Sequence, residues 1–109
     1  MDTTDKKTIL EKISTMSVDE LDLLRDKKII ELRDSSHELY LAKDEELTIR
    51  HNKLAELLKE NSHSKAEQIL RSDEELFNLK KKILGLRDVK NKLELEIEII
   101  KSAFWKART

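Results

Sequence analysis

Apolar side chains in the last third of the chain recur at alternating steps of three and four. The series runs Leu76, Leu79, Ile83, Leu86, Lys90, Leu93, Ile97, Ile100, Phe104 and Ala107, and Lys90 alone breaks it. A period near 3.5 residues makes a seam along one side of a long helix, the pattern of a coiled coil. Such a seam must face another helix, of this chain or of a second copy. Phe77, Leu84, Leu95, Ile99 and Trp105 lie off the stripe, so this helix carries more apolar surface than one partner would cover. The expectation is a homo-oligomer held through the Leu76–Ala107 seam.

Upstream the pattern is looser. A short piece around Asp5 to Ile13 puts Ile9, Leu10, Ile13 and Met16 on one side, and is expected to pack weakly or fray. Ser17-Val18-Asp19-Glu20 fits a capping box, with Ser17 as N-cap and Glu20 reaching back. From there no proline or glycine intervenes before Asn61. Leu21, Leu39 and Leu57 fall 18 residues apart, five turns of an α-helix, and Leu24, Leu32, Leu47, Leu54 and Leu58 fill out that side. Ser35, Ser36, Lys43 and Arg50 interrupt it, as in a helix that packs in a bundle. Asn61-Ser62-His63-Ser64 is the loop candidate, with Ser62 or Ser64 capping Lys65 to Leu70. Ser72-Asp73-Glu74-Glu75 repeats the capping pattern before the seam. The organisation is therefore an arm or short helix over 1–16, a long helix over 17–61, a loop and helical turn over 62–72, and a second long helix over 73–109. Together they form one all-α domain, an antiparallel helical hairpin with coiled-coil packing.

Composition agrees. At 109 residues, 41 % charged and 4 % aromatic, with no proline and one glycine, the chain favours long helices over a closed globular core. No cysteine is present, which excludes disulfides and thiolate metal sites. No stretch approaches the roughly 20 apolar residues of a membrane span. The opening residues lack an apolar run behind a basic head, so no secretory signal is expected. The expected location is the cytoplasm. The net charge of −1 hides an uneven distribution: residues 80–109 hold nine Lys or Arg against four acids. A polyanionic partner is permitted there.

Catalysis finds no support. There is no phosphate loop and no nucleophile set, and His37, His51 and His63 are too widely spaced for two to ligate a metal from one helical face. No enzyme activity, cofactor or metal is expected. Lys90 on the seam reads first as a snorkelling lysine that fixes oligomer number, and second as a cation lining a channel. At the carboxy terminus, Trp105 has two readings. It could seal the end of a bundle, or stack on an unpaired base while Lys101, Lys106 and Arg108 meet phosphates. Arg50, Lys53, Lys59, Lys65 and Arg71 form a second candidate phosphate track, diluted by Glu56, Glu60 and Glu67.

Ile69-Leu70-Arg71-Ser72-Asp73-Glu74-Glu75-Leu76 and Ile100-Lys101-Ser102-Ala103-Phe104-Trp105, at matching spacing and with Gly85 between them, resemble segments of phage recombination mediators of the UvsY family. The resemblance covers roughly residues 40–109. It implies a ring-like homo-oligomer of helical hairpins that binds single-stranded DNA, hydrolyses nothing, and helps a RecA-type recombinase displace single-strand-binding protein. The family ties DNA binding to a short basic segment late in the first helix. The matching Leu54-Ala55-Glu56-Leu57-Leu58-Lys59-Glu60 retains Lys59 but lacks the second cation. The rival readings are a structural coiled-coil adaptor with no nucleic-acid role, and a prefoldin-like helical clasp that would need strands this chain lacks.

Overall fold

The computed structural model describes residues 9–108 of the chain, all helix and turn among the described residues. The sequence expectations for residues 1–8 and Thr109 lie outside them. Residues 9–13 are helical, followed by three helices: α1 (Val18–Leu57), α2 (His63–Arg71) and α3 (Glu74–Arg108).

The helix starts follow from their capping groups. Ser17 Oγ accepts from the Glu20 N–H at 3.2 Å, while Glu20 Oε1 accepts from the Ser17 hydroxyl at 3.1 Å and lies 3.5 Å from its N–H. This reciprocal box satisfies amide donors that the first turn of a helix leaves open. At the far end of α1 the Asn61 side-chain amide and backbone N–H both donate to the Leu57 carbonyl at 3.0 Å. Of the two serines offered for α2, Ser62 is the cap, accepting from the Lys65 N–H at 3.3 Å.

The next cap differs from expectation. Asp73, not Ser72, opens α3: its Oδ1 accepts from the Leu76 N–H at 2.9 Å, and its carbonyl accepts from the Phe77 N–H. Ser72 instead closes α2. Its N–H donates to the Ile69 and Leu70 carbonyls and its hydroxyl to Ile69. With the Ser72 hydroxyl turned back to the Ile69 carbonyl, the Asp73 carboxylate supplies the acceptor for the first turn of α3.

Packing falls into two units: Met1–Ser36 with Arg87–Thr109, and His37–Leu86. In the first, Ile9, Ile13, Leu21 and Ile100 form the core, with Met16, Leu24, Ile99, Ala103 and Phe104 against it. The described part of the amino-terminal piece, expected to fray, thus contributes two buried isoleucines. In the second unit Leu39 and Ala42 of α1 meet Leu79 and Ile83 of α3, flanked by Ile49 and Leu86. Burying one such aliphatic side chain is worth roughly 1.5–3 kcal/mol.

Two corrections follow. Leu47 and Leu58, assigned to the packing side of α1, are exposed, while Ala42 and Ile49 serve in that core. At about 100° per residue Leu47 lies about 80° round the helix from Leu39 on the outward side. The seam also has its partner within the chain. Leu76, Leu79, Ile83, Leu93, Ile97 and Ile100 are all buried without a second copy, Leu86, Lys90 and Phe104 are half-buried, and Ala107 is exposed. The chain's own helices therefore cover most of the seam without a second copy. Phe77, Leu84, Leu95 and Trp105 are exposed, whereas Ile99 packs on the first core.

Candidate nucleic-acid interface

The cations of the second candidate track stand on the end of α1, on the turn that follows it and on α2. Arg50 Nη2 contacts Glu67 Oε2 at 2.9 Å. Lys53 Nζ lies 2.8 Å from Asp73 Oδ2 and 3.1 Å from Glu75 Oε2, and Lys59 pairs with Glu56 at 3.0 Å. Asp73 and Glu75 together hold the Lys53 ammonium above the ordinary lysine value, against a smaller downward push from desolvation. Lys53, with the Leu76 N–H, holds the Asp73 carboxyl below its usual value. Arg50 and Lys53 clamp α2 and the first turn of α3 onto α1, whereas Lys59 pairs only locally. They are engaged by acids rather than presented to a polyanion. Lys65 and Arg71 differ: both are exposed and form no ion pair with a described residue.

The carboxy-terminal cluster stands on the last two turns of α3. Phe104 is half-buried against the first core and takes the sealing role, with the Arg25 guanidinium 5.2 Å from its ring centroid. Arg25 is itself paired with Asp22. Trp105 points outward with 61 % of its surface exposed, edge-on to Phe104 at 6.0 Å and 80°. Arg108 lies 5.8 Å from the indole and 6.0 Å from the Phe104 ring. Lys101 and Lys106 are exposed on the same helix end. Within one copy it is Phe104, and not Trp105, that covers the core at this end. The exposed indole thus stands among cations, the pairing of ring and positive charge that stacked bases use.

Sequence reasoning missed the ion pair in the first unit. Glu96 is buried, and its Oε2 lies 2.7 Å from Lys28 Nζ with angles poor for a hydrogen bond; no other described group donates to it. Glu31 lies 3.6 Å from the same ammonium. Burial pulls the Lys28 pKa down, but Glu96 and Glu31 outweigh it, and the value ends above that of an ordinary lysine. Glu96 sits just before the seam residue Ile97, three residues after Leu93 and four before Ile100, and that spacing was the signal of its burial. Lys90, the seam's interruption, reaches Glu94 at 3.8 Å on its own helix with its stem half-covered, a snorkelling arrangement.

Among the described residues no group of three His, Asp or Glu converges as a metal site, and His37, His51 and His63 are exposed. No helix among them is long and apolar enough to cross a membrane. Compared with protein-family models, curated proteins and solved structures, the chain matches none.

Proposed function

We propose that this protein is a non-catalytic, self-associating helical protein that binds single-stranded DNA and helps a RecA-type recombinase load in place of single-strand-binding protein, in the manner of phage recombination mediators and in the cytoplasm. The observation that carries this reading is the Trp105 indole, exposed at the end of α3 with Arg108 beside it and Lys101 and Lys106 on the same turns. The likeness of segments 69–76 and 100–105 to those mediators gives independent support. Self-association is supported by exposed apolar side chains that the chain's own helices leave uncovered, among them Leu23, Ile29, Leu47 and Leu95. Several copies would add weak contacts through effective concentration, which offsets the few open cations per chain.

Oligothymidine titrated against Trp105 fluorescence tests the reading. Binding at low salt that weakens steeply as salt rises is expected, because each phosphate contact releases counterions. No binding at low salt would remove the DNA role. A second reading, a structural helical adaptor with no nucleic-acid role, is favoured by the engagement of Arg50, Lys53 and Lys59 with acids. An adaptor would keep its light-scattering mass and ignore the oligonucleotide.

A further inference from the structure

Phe77, Lys80, Lys81 and Leu84 share one face of α3 in the second unit, at spacings of three, four and seven residues from Phe77. Phe77 is 55 % exposed, Leu84 is equally open, and the Lys81 ammonium lies 4.7 Å from the Phe77 ring centroid. Neither Lys80 nor Lys81 forms an ion pair with a described residue, in contrast to Arg50, Lys53 and Lys59. The acids nearest in sequence do not pair with them: Asp73 and Glu75 are both held by Lys53, and neither Glu74 nor Asp88 forms an ion pair with either lysine. The face thus joins an open aromatic ring to two uncompensated ammonium groups within about one helical turn. An apolar protein partner would use the ring and Leu84 but would gain nothing from bare lysines; a polyanion with flat bases uses both.

We propose that Phe77, Lys80 and Lys81 form a second stacking platform for single-stranded nucleic acid. A base lies on the side of the Phe77 ring that Lys81 leaves open, while Lys80 and Lys81 meet the flanking phosphates. The platform rests on the DNA-binding reading above and adds a site distinct from Trp105. Stacking on one aromatic contributes roughly 1–3 kcal/mol, or about 5- to 150-fold in affinity.

The test uses the full chain, a fluorescein-labelled oligothymidine followed by anisotropy across a salt series, and light scattering on every variant. Phe77→Leu keeps the apolar bulk and removes the ring; it should weaken binding about 5- to 150-fold, and Phe77→Tyr should restore it. Lys80→Gln with Lys81→Gln should flatten the plot of log affinity against log salt by about 1.4, from about 0.7 per phosphate contact on a single strand. The Trp105 fluorescence change at saturation should persist in all three. If the wild type binds and Phe77→Leu binds equally well, the platform is wrong and the Trp105 reading stands. If Phe77→Leu lowers the oligomer mass while the double lysine variant keeps the wild-type salt slope, the face docks protein and the platform is also wrong. If the wild type ignores oligothymidine at low salt, both readings fall.

Discussion

The end of the second unit where α1, α2 and α3 meet and the carboxy-terminal end of α3 in the first unit carry the same residue types in opposite electrostatic states. At the former, Arg50 and Lys53 face Glu67, Asp73 and Glu75 at hydrogen-bonding distance. At the latter, Arg108 faces the rings of Phe104 and Trp105. A cation paired with carboxylates presents little net field outward. A cation over a ring keeps its full charge available to an anion. Counting lysines and arginines therefore says little about where a polyanion binds; what each one already touches decides it.

Five perturbations break or sharpen this contrast. The largest effect on stability should come from Ile100→Ala, which empties a fully buried position beneath the carboxy-terminal cluster and should cost about 2–5 kcal/mol in denaturant unfolding. A cost near zero would mean that the cluster does not depend on that core. Trp105→Ala should leave the melting temperature nearly unchanged and weaken oligothymidine binding by about 5- to 150-fold in an anisotropy titration.

Lys28→Met leaves the Glu96 carboxylate buried without its cation. It should cost about 1–3 kcal/mol, below the full penalty for a broken buried pair because Lys28 keeps part of its surface in water. The exchange Lys28→Glu with Glu96→Lys should recover part of what either single change loses; no recovery would show that the two charges are not coupled.

The smallest effect belongs to the clamp. Lys53→Ala should lower the melting temperature by at most a few degrees and leave DNA affinity unchanged, the reverse of Trp105→Ala. Its pH dependence has a defined sign. Asp73 is held below its ordinary 3.8, so its contribution is complete above that pH and fades as pH falls further. Lys53 and Lys28 are held above the ordinary 10.5, so theirs is complete below that pH and fades as pH rises through the shifted values. Melting curves from pH 3 to 6 should therefore show acid loss in the wild type and a smaller loss in Lys53→Ala.

The helices were legible because their signals are local. A chain without proline continues its helices, and Ser17 with Glu20 marks a start that the hydrogen bonds reproduce. The cap at α3 was misplaced by one residue because Ser72 and Asp73 both suit the pattern; the choice depends on Ser72 already closing α2. Ala42 was missed because a small side chain barely marks a stripe, although it fits where two helices approach closely. The 3.5-residue period identified the seam but is identical whether the partner helix belongs to this chain or to another. Among the candidate phosphate contacts, Arg50 and Lys53 meet acids 17 and 20 residues away. Such pairs exist only once the chain has reversed direction, so no window of helical spacing contains them.

Lys28 and Glu96 also bear on alignment. An apolar stripe repeating every seven residues makes similar contacts after α3 slides by one repeat along α1 in the first unit. The carboxylate does not, since a slide of that size sets Leu21 or Ser35 where Lys28 stood. One ion pair thereby selects a single setting of the two helices from several that grease alone would accept.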